Sequence, residues 1–288
     1  MRATVLPDLG GKIASLVALG SGFEVVAQPG RAYGRPGYGD SFAAYDASGL
    51  DDAFPCIDGG VDPVTGWTYP DHGEIWSARF GAVVRGGGVD LEYVSPHFPY
   101  RYRKRVSLDG HRLVLDYRIE ATSDVPVPCL WAFHGLLTYD PDMRFTYPAG
   151  AAALVTYDSP WTGPAGVRRA LVGEPDLHTV PPPTPPVAAK FYLAGPVTQG
   201  RCGVTYPGAG IGVDLEFDPV VLPYLGVWIT AGGFRGDHNV ALEPANGFYD
   251  AIPTARANGC LYTLTPGVPL EFRLAVAVRE RAVVARKG

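Results

Sequence analysis

The sequence has little excess charge, no long apolar run and few cysteines, and each shortage excludes a class of protein. Lys and Arg number 24 and Asp and Glu number 29, which gives a formal net charge of −5 at pH 7. We therefore expect no nucleic-acid or anionic-membrane partner. No stretch approaches the roughly 18 apolar residues of a membrane span, and the start, MRATVLPDLGG, lacks the apolar segment of a secretory signal. We expect a cytoplasmic monomer or homodimer that binds a small neutral molecule.

The cysteines and the glycine motifs exclude further classes. The four cysteines form no CxxC pair, so the sequence indicates neither a zinc ribbon nor a dense disulfide framework: Cys56, Cys129, Cys202 and Cys260. We expect mostly reduced, partly buried thiols. The nucleotide-binding patterns GxxxxGKS/T and strand-linked GxGxxG are missing, as is the nucleophile motif GxSxG.

Helical periodicity is also scarce, and turn residues are abundant. The chain has 37 Gly and 28 Pro in no regular period, which argues against a mainly helical protein. Two alternating stretches flank Asp109-Gly110 in RYRKRVSLDGHRLVLD (residues 101–116), which predicts a β-hairpin. CLWAFHGLLTY then predicts a third strand of the same sheet. Many further short strand-like runs, with a helical turn or two only near residues 40–53, predict an all-β fold, a large antiparallel β-sandwich.

Three other segments bear on organisation. PPPTPP (residues 181–186) is either a domain boundary or a surface loop, and similar strand-like runs on both sides favour a single domain over residues 1–288. Arg101, Arg103 and Arg105 alternate onto one face of a strand, where they either bind an anion or form a solvated face, which we favour. The end of the chain, VVARKG, predicts a solvated tail.

Three polar residues are candidates for chemistry because of where they lie. His72 lies in the turn-rich stretch YPDHGEIW, and a capping or core role is the alternative to a functional one. His134 interrupts the apolar strand LWAFHGLL, where alternation predicts a face shared with Leu130, Ala132 and Leu136. Glu243 precedes Pro244 at the end of an apolar strand, where a carboxylate could project into a loop-lined opening.

Together these residues predict one of two kinds of site. An ionised carboxylate accepts a proton at pH 7 and an imidazolium donates one, so the set suits general acid/base chemistry. Two histidines and a glutamate could equally ligate a metal, and sequence spacing does not separate the two. Seven aromatic residues in or near these segments either stack on the C–H faces of a sugar or belong to the core: Trp67, Tyr69, Trp76, Trp131, Phe133, Trp228 and Phe248.

The order of these motifs along the chain resembles that of the aldose 1-epimerase (galactose mutarotase) family. The resemblance rests on GGKIASL, FPCIDGG, PDHGEIW, PCLWAFHGLL and VALEPANGFYDA, which span nearly the whole sequence. It implies a large many-stranded β-sandwich, in agreement with the strand pattern. It also implies ring opening of an aldose without metal or organic cofactor. Glu243 would take the proton of the C1 hydroxyl, His134 would protonate the ring oxygen, and His72 would bind the ring-oxygen side.

The chain departs from the family pattern in ways that indicate a divergent branch. Glu74 follows the first histidine-glycine pair in place of an apolar residue, and the asparagine-arginine context of the family's substrate-orienting arginine has no clear match. We expect other residues to contact the sugar in its place: Asp52, Trp76, Arg79, Trp228 and Asn246. The sequence leaves the identity and phosphorylation of the sugar open. It also leaves two alternatives to a mutarotase: a non-catalytic sugar-binding or sensing protein of the same fold, and a metalloenzyme that uses His72, His134 and Glu243 as ligands.

Overall fold

The protein folds almost entirely into antiparallel strands in this computed structural model, which describes residues 1–45, 48–148 and 152–281. The first half contains β1 (Arg2–Leu6), β2 (Lys12–Val17), β3 (Leu50–Ala53), β4 (Gly60–Val61), β5 (Thr68–Tyr69), β6 (Gly81–Arg85), β7 (Gly88–Val94), β8 (Tyr100–Asp109), β9 (Arg112–Ala121), β10 (Val127–Cys129) and β11 (Ala132–Thr138). The second half contains β12 (Arg144–Thr146), β13 (Ala153–Val155), β14 (Arg168–Arg169), β15 (Val187–Leu193), β16 (Arg201–Tyr206), β17 (Ile211–Phe217), β18 (Tyr224–Ala231), β19 (His238–Ala245), β20 (Tyr262–Leu264) and β21 (Leu270–Glu280). The predicted tail at residues 283–288 lies outside the described residues.

The helical content of the described residues is small. One α-helix, α1 (Ile252–Ala257), follows β19, and two short 3-10 turns cover Phe42–Ala44 and Ile75–Ser77. The helical turn predicted near residues 40–53 is therefore confirmed only at its start, because Leu50–Ala53 pairs as a strand with β2 and β11. Among these elements there is no helix with both the length and the apolar character of a membrane span.

Two large sheets form the sandwich. One has nine strands in the order β1-β2-β3-β11-β19-β18-β15-β13-β14, and the other has eight in the order β12-β16-β17-β21-β9-β8-β7-β6. The predicted hairpin at Asp109-Gly110 is confirmed, since β8 and β9 pair from Tyr100↔Ala121 to Asp109↔Arg112. The residues predicted to continue this sheet cross instead to the nine-stranded sheet as β11. The proline-rich residues 181–186 connect β14 to β15, and both of these strands lie in that sheet.

The core lies between the two sheets and is continuous. Alternate residues of β8 and β9 face inward with the inward residues of β11, β18 and β19, because side chains of a strand alternate between its faces. Trp131, Phe133, Val227 and Leu242 belong to this cluster with Tyr102 of the opposite sheet. The residues between them in sequence therefore point to the outer face of the nine-stranded sheet. That face carries the candidate site.

Candidate active site

Strand register brings the two central candidates to the same level of the nine-stranded sheet. β11 and β19 pair through Ala132↔Ala245 and Leu136↔Ala241, which sets His134 of β11 opposite Glu243 of β19. Both side chains alternate with core residues, so both project from the outer face. Residues 109 positions apart in sequence thus become neighbours on adjacent strands.

His134 is deeply buried and incompletely paired. Its side chain is 9% exposed, and its Nδ1 has no hydrogen-bond partner among the described protein groups. Phe42 packs its ring against the imidazole with centroids 5.1 Å apart. Burial lowers the pKa of His134 well below its ordinary value, and the positive charges of His72, Lys190 and Lys12 act in the same direction. Burial therefore favours the neutral imidazole over the imidazolium in the free protein.

The predicted strand face of His134 is confirmed for two of its three members. Ala132 and Leu136 project with His134 from β11, and Leu136 lines the same cavity. Leu130 belongs instead to the interior core, because the strand begins only at Ala132 and regular alternation does not extend before it.

Glu243 is the second buried polar group of the site, with 2% of its surface exposed. Burial raises the pKa of its carboxyl above the ordinary value, although Lys190 acts in the opposite direction. Gly226, its partner on β18, makes room for it. A Cβ atom at Gly226 would lie 2.9 Å from Glu243 Oε2 and 3.2 Å from Tyr192 Cζ.

Lys190 and Asp250 complete the charged part of the site. Lys190 Nζ lies 3.7 Å from Glu243 Oε2 and donates to Asp250 Oδ1 at 3.1 Å. The hydroxyl of Tyr192 donates to the same Asp250 oxygen at 2.6 Å. Asp250 has a backbone φ of 45°, a left-handed conformation that is uncommon for residues other than glycine and concentrates at functional sites.

His72 enters the site from the loop before the Ile75–Ser77 turn. Its backbone is also left-handed, with φ 57°. Its Nδ1 donates to Asp71 Oδ1 at 2.7 Å, and this bond holds the pKa of Asp71 below its usual value although burial acts in the opposite direction. The Phe42 ring stacks on the imidazole at 4.1 Å, and the His134 ring lies edge-on at 5.2 Å. His72 is therefore fixed in orientation beside His134.

These residues line one cavity of about 290 Å³, near the lower end of the size of small-molecule sites. Its wall combines carboxylates, an amine and two imidazoles with aromatic and aliphatic surface. Thr156 Oγ1 also has no hydrogen-bond partner among the described residues. The lining residues are Phe42, Asp58, His72, His134, Leu136, Thr156, Tyr157, Lys190, Trp228, Phe234, Glu243 and Asp250.

The structure brings His72, His134, Glu243 and Trp228 together but not the other predicted contacts. Trp76 lies behind Phe42, with ring centroids 5.1 Å apart, and donates to the Asp71 carbonyl. Arg79 is exposed and does not line the cavity. Asn246 Oδ1 accepts a hydrogen bond from the Trp131 backbone at 2.7 Å, which joins the end of β19 to the start of β11.

Asp52 lies on the opposite face of the sheet, away from the cavity. It is 1% exposed and accepts hydrogen bonds in the sandwich interior from Tyr102 at 3.0 Å, Lys104 at 2.8 Å and Tyr117 at 2.9 Å. Because neighbouring strand residues point to opposite faces, only one of Asp51 and Asp52 can face outward, and it is Asp51. The expected sugar contact of Asp52 therefore has no geometric support.

Glu74, the departure from the family pattern beside His72, has a structural role. It is 1% exposed and accepts hydrogen bonds from Tyr93 at 3.2 Å, from Tyr100 at 2.6 Å and from Ser95. Three hydroxyl groups thus satisfy the buried carboxylate.

Sequence reasoning missed Lys190, Asp250, Asp58 and Phe42. Lys190 interrupts the apolar strand AAKFYLA in the same way as His134 interrupts its own strand, which was the available signal. Asp58 and Asp250 lie in the motifs FPCIDGG and GFYDA but were not singled out. Nothing local distinguishes Phe42.

The remaining sequence expectations can be located as well. Of the seven aromatic candidates, all of which the structure describes, Trp228 is the one that lines the cavity. All four cysteines are free, and three of them are buried. Arg101, Arg103 and Arg105 form a partly exposed face whose guanidinium groups pair with Glu92, Glu120 and Asp90, which confirms the solvated-face interpretation. Within the described ranges, no cluster of three or more His, Cys, Asp or Glu is arranged to hold a metal ion.

Comparison with known proteins establishes the fold. No protein-family model and no curated protein matches the chain. Solved structures similar to it include the Slr1438 protein from Synechocystis sp. PCC 6803, at 16% identity and a TM-score of 0.75 over 97% of this chain and 92% of that one. A galactose mutarotase-like protein from Clostridium acetobutylicum has 15% identity and a TM-score of 0.66 over 97% and 92%. A galactose mutarotase related enzyme from Lactobacillus acidophilus has 15% and 0.66 over 96% and 94%. The chain has the galactose mutarotase-like β-sandwich fold, as the sequence predicted.

Proposed function

We propose that the chain is an aldose 1-epimerase that interconverts the α and β anomers of a hexose. The observation that carries this proposal is the opposition of Glu243 and His134 on adjacent strands, with both side chains in the wall of one cavity. A carboxylate and an imidazole in one small cavity are the groups that ring opening of an aldose needs.

The reaction consists of two proton transfers and one bond rotation. Ionised Glu243 takes the proton of the C1 hydroxyl as the bond between C1 and the ring oxygen breaks, and His134 in its protonated form gives a proton to that oxygen. The open-chain aldehyde then turns about the bond between C1 and C2. The same two groups return their protons with exchanged roles when the ring closes, so no atom is gained or lost.

The directions in which burial shifts the pKa values of Glu243 and His134 suit a reversible reaction. Burial raises the pKa of Glu243 and lowers that of His134, so the two values are drawn toward each other. The closer two pKa values lie, the smaller is the free-energy cost of moving a proton between the groups. The productive state, with Glu243 ionised and His134 protonated, then differs from its neutral counterpart only in the position of that proton.

The other lining residues suit a polyhydroxylated ligand. The Trp228 indole donates to Asn239 Oδ1 at 3.1 Å, which fixes its ring at the cavity wall for contact with C–H groups. His134 Nδ1 and Thr156 Oγ1 have unused hydrogen-bonding capacity that sugar hydroxyls can satisfy. His72, held by Asp71 and Phe42, is proposed to bind the ring-oxygen side.

Optical rotation of freshly dissolved α-anomers tests the proposal. Relaxation toward the equilibrium rotation should accelerate in proportion to wild-type protein, should be unaffected by a metal chelator, and should fall to the buffer rate with Glu243→Gln. If the wild-type protein binds a sugar in calorimetry but leaves the relaxation rate unchanged, the chain is a sugar-binding protein. If the chelator abolishes the acceleration, the chain is a metalloenzyme.

A further inference from the structure

Lys190 is the one amine among the residues that line the cavity, and carboxylates surround it. Its side chain is 16% exposed. Glu243 of β19 and Asp250 of the following loop lie 3.7 Å and 3.1 Å from its Nζ. Asp58, in the loop after β3, also lines the cavity. The amine therefore faces carboxylates from three different segments of the chain.

The remaining polar groups around Lys190 are imidazoles and a hydroxyl. His72 and His134 belong to the same cavity wall, from the loop before the Ile75–Ser77 turn and from β11. The Tyr192 hydroxyl, two residues along β15 from Lys190, donates to Asp250. Lys190 is thus the permanent positive charge among the groups that line the cavity.

The charge and burial of the surrounding groups indicate that this amine controls the ionisation of Glu243. Burial opposes ionisation of Glu243, and the anion of Asp250 opposes it further. A base that accepts a proton at neutral pH must nevertheless be ionised. Burial also works against the charge of Lys190, but Asp250, Glu243 and Asp58 raise its pKa above the ordinary value, so the ammonium form persists.

We propose that Lys190 is a positioning residue, whose ammonium group holds Glu243 ionised and directed into the cavity while Asp250 holds the ammonium group between the two carboxylates. This inference rests on the proposed function for its role in turnover. Its electrostatic part, the control of the Glu243 charge, can be measured without any sugar.

Replacement of Asp250 should change the pKa of Glu243 in the opposite direction to replacement of Lys190. The Asp250→Asn variant keeps an oxygen that can accept from Tyr192 but removes the competing anion, so Lys190 then faces only the carboxylates of Glu243 and Asp58. Loss of the amine should therefore make Glu243 harder to ionise, and loss of the Asp250 charge should make it easier. A merely structural role for Lys190 predicts no change on loss of the amine, whereas removal of the Asp250 anion lowers the pKa of Glu243 whatever the role of Lys190.

The experiment is a carbon NMR titration of protein labelled with 13C at the glutamate side-chain carboxyl. Glu243→Gln identifies the Glu243 signal by its disappearance. In Lys190→Met the Glu243 midpoint should rise by about one to three pH units, the usual effect of an opposite charge within about 4–6 Å. Lys190→Arg should restore a midpoint near that of the wild type, and Asp250→Asn should lower it.

Turnover then supplies the second measurement. If the wild-type protein interconverts anomers, the acid limb of kcat/KM should move with the Glu243 midpoint in each variant. A Glu243 midpoint that does not rise in Lys190→Met overturns the inference, whether or not the protein has activity. Failure of the wild-type protein to exchange anomers overturns the proposed function instead, and the titration shows which of the two has failed. If Lys190→Met does not fold, Lys190→Gln, which also removes the charge, replaces it in the titration with the same expected rise.

Discussion

Burial lowers the pKa of the His134 imidazole and raises the pKa of the Glu243 carboxyl relative to their values in water. The productive pair carries one proton in total. This productive state disappears at low pH, when the pair binds a second proton, and at high pH, when the pair loses its single proton. We therefore expect a bell-shaped dependence of kcat/KM on pH, whose two limbs belong to the pair rather than to either residue.

Steady-state rates measured across about pH 4 to 9, which spans the ordinary carboxyl and imidazole pKa values, test this expectation. Glu243→Gln should remove the acid limb from whatever residual activity it retains. A rate that is flat over the whole range would contradict the assignment of both groups.

The two histidines differ in what they contact, so their replacement should differ in effect. His134→Gln should lower kcat by about a hundredfold or more, since it removes the proton donor. His72→Asn should chiefly raise KM and lower kcat less, because His72 only binds and orients. Both variants should keep the wild-type circular dichroism spectrum. A larger loss of kcat in His72→Asn than in His134→Gln would mean that the two roles are reversed.

Single residues were predictable from sequence only where they broke a pattern. His134 is predictable because it interrupts an apolar strand, whereas Lys190 gives the same signal in AAKFYLA but has no partner nearby in sequence to mark it as functional. Asp52 is the opposite case, a residue expected to contact the sugar that instead lies in the core. Lys104 alternates with the arginines of β8 and so must face the core, where it requires a carboxylate, and Asp52 supplies that carboxylate.

At the scale of elements, strand glycines are the sharpest test of the site geometry. Gly226→Ala would bring a Cβ atom within 2.9 Å of Glu243 Oε2, so the carboxylate must move or the strand must shift. We expect at least a tenfold loss of kcat/KM and destabilisation of about 1–3 kcal/mol from overpacking. Kinetics and urea unfolding measure the two effects.

Gly81→Ala is the matched control for this substitution. Gly81 also lies in a strand, but its Cβ would meet nothing nearer than the Glu92 carbonyl at 3.7 Å. It should leave turnover and stability nearly unchanged. Equal activity in Gly226→Ala and Gly81→Ala would show that Glu243 does not need its present position.

Strand pairing shows which parts of the fold can be predicted from a local sequence pattern. The β8–β9 hairpin was predictable because its turn and both of its strands are adjacent in sequence. The prediction that the third strand belongs to the same sheet is wrong, because β11 leaves this hairpin to pair with β3 and β19. Alternation predicts which residues share a face, but the partner of a strand is decided by contacts distant in sequence.

At the scale of the whole molecule, a buried ion pair joins the two sheets. Lys104 of β8 contacts Asp52 of β3 with side chains 1% and 0% exposed. Lys104→Met would leave a buried carboxylate without its cation, which typically costs about 3–5 kcal/mol in the free energy of unfolding. KM should stay near the wild-type value, because Asp52 does not line the cavity.

The surface pair Arg273–Asp116, with side chains 68% and 36% exposed, provides the comparison. Arg273→Met should cost no more than about 1 kcal/mol in the same urea titration. If Lys104→Met were no more destabilising than Arg273→Met, the interior pair would not join the sheets as described. A rise in KM without loss of stability would restore Asp52 as a sugar contact.

The all-β sandwich could be predicted because the abundance of glycine and proline, the alternating runs and the order of motifs all indicate the same fold. The site could be predicted only in part. Its amine, Lys190 of β15, and its carboxylate Asp58, in the loop after β3, are brought together only by the pairing of strands that lie far apart in the sequence. The most direct measurement is anomer exchange by saturation-transfer NMR, on a panel of neutral aldoses and hexose 6-phosphates, with Glu243→Gln as the blank. We predict exchange above the blank for at least one neutral aldose. No exchange with any sugar would contradict the assignment of a mutarotase.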